Sequence, residues 1–137
     1  MQYLKERKLV LDMAQRISRE KMVPGTWGNV SVRIKDQPLL LITPSGMPYE
    51  TMTIEDIVLL DLDGEVTEGE RIPSIEKHLH ARIYKQRNDV GAIVHVHTLY
   101  ASAFAVAGKS IPVILEETAQ VIGHAVRVTA YAPCGTD

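Results

Sequence analysis

One stretch of the sequence decides the fold: residues 73–97, PSIEKHLHARIYKQRNDVGAIVHVH. Ser74 is a suitable N-cap, and the residues after it predict a helix that continues through Arg87. Its apolar stripe is expected to consist of Ile75, Leu79 and Ile83. Residues 91–97 are apolar and rich in β-branched side chains, which predicts a buried strand. A helix followed directly by a buried strand indicates an α/β domain.

Toward the N-terminus, the pattern predicts one more helix and three strands. The helix spans Leu4 to Met22, with Lys, Arg and Glu on its outer face and an apolar stripe of Val10, Met13, Ala14 and Ile17. Pro24-Gly25 ends this helix. The predicted strands are Asn29 to Ile34, Leu39 to Thr43 and Ile57 to Leu62, the last followed by a tight turn at Asp63-Gly64.

Toward the C-terminus, the Ala-rich segment from Leu99 to Ala107 predicts a further helix that ends at Gly108. We also predict strands at Pro112 to Leu115 and at Ala125 to Tyr131, on either side of a short helical piece over Glu117 to Ile122. The whole pattern has hairpins early and strand–helix alternation late, which favours a layered sheet.

Composition narrows the class of protein. The chain has 137 residues, 45% hydrophobic and 23% charged, which fits one globular domain over residues 1–137. A net charge of −2 without any long run of like charges gives no indication of nucleic-acid or membrane partners. The charged N-terminus does not resemble a signal peptide, and the single cysteine, Cys134, fits a reducing compartment, so we expect a cytoplasmic protein.

His95-Val96-His97 is the sharpest chemical feature of the sequence. Residues two apart on a strand project from the same face, so both imidazoles are expected on one side of the sheet and Val94 and Val96 on the other. Two convergent imidazoles can chelate zinc. The bare pattern fits equally well two histidines that only form hydrogen bonds on a polar sheet face.

Glu76 lies at the start of the predicted helix, where it can reach a metal held on the following strand. A glutamate in a first helical turn is also favoured by the helix dipole alone. His78 and His80 follow on the same helix and point about 200 degrees apart. At most one of them therefore faces the site, and we interpret both as structural.

Two polar turns contain glycine, Thr26-Trp27-Gly28-Asn29 and Thr43-Pro44-Ser45-Gly46. Hydroxyl groups and exposed backbone N–H groups of this kind can bind an oxyanion or a phosphate without Lys or Arg. Each turn taken singly is typical of an ordinary strand end. Because they flank adjacent predicted strands, we expect them to share a pocket.

These motifs, in this order, resemble the class II aldolase/adducin family. The residues that carry the resemblance are Gly28-Asn29-Val30-Ser31, Ile42-Thr43-Pro44-Ser45-Gly46, Asp61-x-x-Gly64, Pro73-Ser74-Ile75-Glu76 and Ile93-Val94-His95-Val96-His97. The resemblance runs from about residue 3 to the C-terminus. Within the family, the chain is most similar to the L-fuculose-1-phosphate aldolases, which are zinc enzymes.

The resemblance implies a three-layer α/β/α fold with a central, mainly antiparallel sheet. It also implies a homotetramer with active sites between subunits, and Zn²⁺ as the cofactor. His95 and His97 would be zinc ligands, and Glu76 the catalytic acid/base and a further metal ligand. The positions that match the family's substrate and phosphate site are Gly28, Asn29, Ser45, Gly46, Ser74 and Ile75.

Departures from the family pattern bear on the substrate. The fuculose enzymes usually have Ser-Ser-Glu where this chain has Ser74-Ile75-Glu76, so the backbone N–H of Ile75 would serve in place of a hydroxyl. Glu116 aligns with an active-site tyrosine. Related epimerases have Asp at the position of Glu76, so the Glu favours aldol chemistry.

Length is the larger departure, because family members continue beyond residue 137. Their third zinc histidine and C-terminal helices lie in that further part, so we expect this chain to lack them. His124 precedes a predicted strand and matches no ligand position of the family. We expect zinc to be held weakly in the 137-residue form.

The expected reaction is therefore zinc-dependent cleavage of a ketose 1-phosphate, such as L-fuculose 1-phosphate, to dihydroxyacetone phosphate and an aldehyde. Three alternatives stay open. Two are enzymes of the same fold, a methylthioribulose-1-phosphate dehydratase and a sugar-phosphate epimerase. The third is a non-catalytic interaction module like the adducin head, but such heads lose the metal histidines that this chain retains.

Overall fold

The computed structural model describes residues 1–133 of the chain. Cys134, on which the expectation of a reducing compartment depends, lies outside the described residues. No helix within residues 1–133 combines the length and the apolar character that a transmembrane span requires.

Four helices, a short 3-10 helix and five strands make up the described chain. The helices are α1 (Leu4–Arg19), α2 (Lys77–Gln86), α3 (Leu99–Val106) and α4 (Glu116–Val121), with the 3-10 helix at Ile54–Asp56. The strands are β1 (Asn29–Arg33), β2 (Leu39–Ile42), β3 (Val58–Asp61), β4 (Val66–Glu68) and β5 (Ala92–His95).

The five strands form one sheet in the order β4-β3-β2-β1-β5, and every pair of neighbours is antiparallel. Asn29 at the start of β1 lies opposite His95 at the end of β5. The start of β1 also lies beside the end of β2, because Ser31 pairs with Ile42. One edge region of the sheet therefore brings together the two predicted glycine turns and the His95-Val96-His97 segment.

Helices cover both faces of the sheet, which confirms the three-layer fold. Side chains alternate along β2, so Leu41 packs into the cluster with Val10, Ala14 and Ile17 of α1. Leu40 and Ile42 point the other way and pack with Ala81 and Tyr84 of α2. Each residue of this strand therefore contributes to one of two separate cores.

Helix α1 departs from its predicted pattern at one charged residue. Arg7, expected on the outer face, is buried because its guanidinium donates hydrogen bonds to the carbonyls of Ile54 and Ile57. The same group forms an ion pair with Glu68 at 3.0 Å. A buried charge with this many acceptors satisfies its donors without water.

The apolar stripe predicted for α2 is wrong. Ile75 and Leu79 are exposed and Ile83 is only half-buried, whereas the buried residues are His80, Ala81 and Tyr84. The helix also begins later than Ser74, at Lys77. Its inner face is polar because the β1 face beneath it carries Asn29 and Ser31, which hydrogen-bond with it.

The two strands predicted after α3 do not form among the described residues. The segments 112–115 and 125–131 contain no ladder, and a single antiparallel bridge joins Ile111 to Val126. The helices predicted there are present as α3 and α4, although neither has a buried residue.

Candidate active site

A cleft of about 460 Å³ opens at the sheet edge where β1, β2 and α2 meet. It contains all six positions predicted for substrate or phosphate, together with Glu76 and His97. Its lining residues are Thr26, Trp27, Gly28, Asn29, Pro44, Ser45, Gly46, Ser74, Ile75, Glu76 and His97. Segments far apart in sequence thus form one concave surface, on which polar groups of the two glycine turns, Ser74, Glu76 and His97 lie among apolar area.

Backbone hydrogen bonds hold the second glycine turn against the segment that leads into α2. Ser45 N–H donates to the carbonyl of Ile72 at 2.9 Å, and Ser74 N–H donates to the carbonyl of Thr43 at 3.1 Å. Gly46 has φ +67°, a left-handed conformation that favours glycine. The turn and Ser74 consequently face the same cleft.

Gly28 lies where no larger residue fits. A Cβ atom at this position would lie 2.4 Å from Cγ1 of Val23 and 2.8 Å from the carbonyl oxygen of His95. The buried Tyr49 hydroxyl donates to the Gly28 carbonyl and accepts from its N–H at 3.2 Å. Burial raises the pKa of Tyr49, so it keeps this proton. Close packing against β5 thus fixes the first glycine turn.

Glu76 meets the histidine strand directly. Its Oε2 lies 2.6 Å from Nδ1 of His95, and both side chains are largely shielded from solvent. The contact is a close electrostatic one, because no hydrogen bond of acceptable geometry reaches His95 Nδ1 from the described residues. The same Oε2 accepts a hydrogen bond from Asn29 Nδ2 at 2.5 Å.

His95 and His97 lie on one side of β5, with ring centroids 5.0 Å apart and ring planes 17° apart. Trp27 approaches the His97 ring edge-on, at a centroid distance of 6.4 Å. His97 is held by its backbone, because its N–H donates to the carbonyl of Met22 at 3.2 Å. The two imidazoles therefore face the region that Glu76 also reaches.

The side chains of His95, His97 and Glu76 fit part of the coordination shell of a metal ion. A buried imidazole nitrogen without a hydrogen bond, beside a second imidazole and a carboxylate, is the donor set that zinc takes. Among residues 1–133, no three His, Cys, Asp or Glu side chains are arranged as a complete metal site. His124, for its part, is exposed.

His80, interpreted as structural from the sequence, belongs to the surroundings of Glu76. Its Nε2 lies 2.5 Å from Oδ1 of Asn29, and its Nδ1 lies 2.7 Å from Oγ of Ser31. Burial first, and the charge of His95 second, lower the pKa of His80 to about 4, so this ring is neutral at pH 7. His78 points elsewhere, and its ring lies against Gly64.

The sequence contained a signal for this arrangement. Glu76 and His80 are four residues apart, so a helical turn places them on the same side. Ser31 alternates with Val30 and Val32 along β1, which puts its hydroxyl on the face opposite α1. Only the pairing of these two faces, which the sequence does not show, brings the residues into contact.

The chain is thus an α/β/α layered domain in which a carboxylate and two imidazoles lie beside a cleft bordered by two glycine turns. The chain belongs to the family described as Class II Aldolase and Adducin N-terminal domain, which matches residues 8–137.

Among curated proteins, the chain is 39% identical to a 5-deoxy-D-ribulose 1-phosphate aldolase of Bacillus thuringiensis serovar kurstaki, over 96% of this chain and 62% of that protein. It is 40% identical to an L-ribulose-5-phosphate 4-epimerase of Salmonella paratyphi B, over 83% of this chain and 49% of that protein. The chain therefore spans about half to two thirds of the length of these relatives.

Among solved structures, an L-fuculose 1-phosphate aldolase superposes with a TM-score of 0.93 and 35% identity, over 100% of this chain and 64% of that one. The L-fuculose-1-phosphate aldolase from Thermus thermophilus gives a TM-score of 0.70 and 26% identity, over 86% of this chain and 57% of that one. These likenesses confirm the mixed α/β fold with its central antiparallel sheet.

Proposed function

We propose that this chain carries the catalytic cleft of a class II aldolase that cleaves a ketose 1-phosphate to dihydroxyacetone phosphate and an aldehyde. The observation that supports the proposal best is that Glu76 and His97 line the cleft that holds both glycine turns, with His95 in contact with both of them. Relatives named as aldolases at 39% and 35% identity favour the same reaction class.

The phosphate would bind at the polar end of the cleft. Ser45, Gly46 and Ser74 supply hydroxyl and backbone groups there, and Gly28 and Asn29 flank them from β1. Ile75 points its side chain to solvent, so its contribution is the backbone N–H. Backbone N–H groups and hydroxyls bind a phosphate by hydrogen bonds without a paired cation.

His95, His97 and Glu76 would hold the zinc ion. When bound, zinc supplies Lewis-acid stabilisation of negative charge that develops on the substrate's carbonyl oxygen. Further ligands would come from outside the described residues, and a homotetramer with the active site between subunits would place additional groups at the cleft. A cytoplasmic location agrees with such a role in carbohydrate metabolism.

Glu76 would act as the acid/base. The Glu76 carboxylate would accept the proton of the hydroxyl on carbon 4, which becomes the carbonyl of the aldehyde as the bond between carbons 3 and 4 of the ketose breaks. The electron pair of that bond remains on carbon 3, and Glu76 would return the proton to that carbon to complete dihydroxyacetone phosphate. In the condensation direction, the carboxylate removes the same proton. The hydrogen bond from Asn29 and the contact with His95 hold the carboxylate at one position in the cleft.

Substitution Glu76→Gln tests this role. Gln keeps the size and the hydrogen bond from Asn29 but cannot exchange the proton, so turnover should fall about 10²- to 10⁴-fold while the unfolding midpoint stays nearly unchanged. Glu70→Gln, at an exposed glutamate, is the matched control and should leave turnover unchanged. Full activity of Glu76→Gln would exclude the acid/base role.

Zinc binding is tested by calorimetric titration of the 137-residue chain and of a chain extended to the full length of its relatives. Catalytic zinc sites normally use three protein ligands. The extended chain should therefore bind zinc much more tightly, and His95→Ala should abolish binding in both. Equal, tight affinity of the two chains would show that the ligand set is complete within residues 1–137.

The substrate is to be found by comparing sugar phosphates. L-fuculose 1-phosphate and 5-deoxy-D-ribulose 1-phosphate are the first candidates, and release of dihydroxyacetone phosphate reports cleavage. The 40% identical epimerase makes epimerisation of L-ribulose 5-phosphate the second candidate function. Epimerisation without release of dihydroxyacetone phosphate from any 1-phosphate would favour that alternative.

A further inference from the structure

A continuous chain of side-chain hydrogen bonds runs between α2 and β1 and ends on Glu76. Its members are Tyr84, Ser31, His80 and Asn29, of which the first three are 0% exposed and Asn29 only 4%. The successive distances are 2.8 Å from Tyr84 Oη to Ser31 Oγ, 2.7 Å to His80 Nδ1, then 2.5 Å from His80 Nε2 to Asn29 Oδ1. Water does not compete for these groups.

The chemistry of the last two groups fixes the direction of the chain. An ionised carboxylate only accepts hydrogen bonds, so Asn29 presents its Nδ2 to Glu76. The other polar atom of the same amide is Oδ1, which also only accepts hydrogen bonds. His80 must therefore carry its proton on Nε2, and its Nδ1 is a bare acceptor.

The bare Nδ1 of His80 also fixes the donor directions at the other end of the hydrogen-bond chain. Ser31 donates its hydroxyl proton to Nδ1 of His80, so its oxygen accepts from Tyr84. Every donor thus points toward Glu76, and hydrogen bonds aligned in one direction strengthen one another in a buried site.

We propose that His80 is a positioning residue for Glu76, acting through Asn29, an inference that rests on the proposed role of Glu76 as acid/base. With its Nε2 proton on Oδ1, His80 locks the amide so that Nδ2 faces the carboxylate. Glu76 is then held against His95. Without that lock, the amide can turn and place Oδ1 against the carboxylate, where two acceptors repel.

The first test measures the tautomer of His80 by nitrogen NMR of the protein labelled in its histidine rings. The proposal expects the Nε2–H form at pH 7, with a slowly exchanging ring proton, because the ring is buried. An Nδ1–H form, or a ring that carries both protons at pH 7, would overturn it. This readout needs neither substrate nor metal.

The second test uses two substitutions that keep different halves of the imidazole. His80→Gln extends an amide nitrogen to the place of Nε2 and still donates to Asn29, whereas His80→Asn ends near Nδ1 and loses that bond. We expect His80→Asn to lower kcat about tenfold with KM within about twofold, and His80→Gln to restore most of kcat. His78→Asn, at the exposed histidine of the same helix, is the control.

Equal kcat values for His80→Asn and His80→Gln would overturn the proposal, because packing alone would then explain both. If the wild-type protein shows no aldolase activity, the proposed function fails but positioning is still measured. The side-chain amide protons of Asn29 should then shift in His80→Asn and keep their wild-type resonances in His80→Gln. Unshifted resonances in both variants would contradict the positioning role.

Discussion

Residues 4–95 and residues 99–133 differ sharply in burial. The first region holds α1, the sheet and α2, and its core residues, such as Leu41, are 0% exposed. In the second region, α3 and α4 contain no buried residue, and Val106 is 91% exposed. Every predicted site residue except His97 lies in the first region, and His97 lies just beyond its end. The side chains of the cleft are therefore held in place by packing, whereas α3 and α4 depend on the backbone hydrogen bonds within each helix.

The largest loss of stability is expected when volume is removed from the core of the first region. Leu41→Ala, at the centre of the α1 side of the sheet, should lower the free energy of unfolding by about 2–5 kcal/mol. Leu9→Ala, at an exposed leucine of α1, is the matched control and should have a small effect. Urea unfolding followed by circular dichroism measures both, and similar losses would contradict the core assignment.

Acidification should weaken the packed region through His80. Its pKa is lowered from 6.5 to about 4 by burial, so between these pH values the unfolded chain binds a proton that the folded chain does not. The contribution is complete above pH 6.5 and is lost as the pH falls toward 4, on the order of 3 kcal/mol. Unfolding at pH 7 and pH 4.5 should show a smaller difference in His80→Gln, and an equal difference would assign the effect to other groups.

A smaller effect is expected where the site meets the core. Gly28→Ala places a methyl group against Val23 and the His95 carbonyl, so it should cost about 1–3 kcal/mol and displace the first glycine turn. Gly91→Ala is the control, because nothing lies within 4 Å of a Cβ atom there. Thermal unfolding distinguishes the two, and equal stability would mean that the strand ends can separate without cost.

The smallest effect is expected in the second region. Val106→Ser removes an exposed apolar side chain and should change the free energy of unfolding by less than about 0.5 kcal/mol. A loss comparable to that of Leu41→Ala would show that α3 is covered in solution. Dependence of that loss on protein concentration would then identify a second copy of the chain as the cover.

The helices and strands of the second region show what can be predicted from sequence. The helices α3 and α4 form within a residue or two of their predicted bounds, because helical hydrogen bonds join residues three to four positions apart. The strands predicted at 112–115 and 125–131 do not form, because a strand needs a partner to accept its hydrogen bonds. In the first region β1, β2, β3 and β5 do find partners, so strands form where they were predicted. The prediction that residues 91–97 form a buried strand is wrong, because β5 lies at the end of the strand order and none of its residues is buried.

In the candidate site too, features that depend on neighbouring residues were predicted, whereas contacts between distant segments were not. Local signals placed Glu76 beside a helix start, both imidazoles on one face of β5, and glycine in two turns. Those signals did not reveal that α2 turns His80 and Tyr84 toward the sheet, and the apolar stripe predicted there was wrong. The predicted stripe followed hydrophobicity, whereas hydrogen bonding to Ser31 and Asn29 decided which face is buried.

The sequence by itself determined the class of fold, the family and the residue types of the cleft, because these depend on periodicity and on motifs of adjacent residues. Only the tertiary structure decided that Asn29 lies between Glu76 and His80, and that His95 meets Glu76 across the sheet edge. Such contacts join residues 19 to 51 positions apart in the chain. They form because antiparallel pairing aligns the start of β1 with the end of β5, while packing of α2 on that face supplies the third partner.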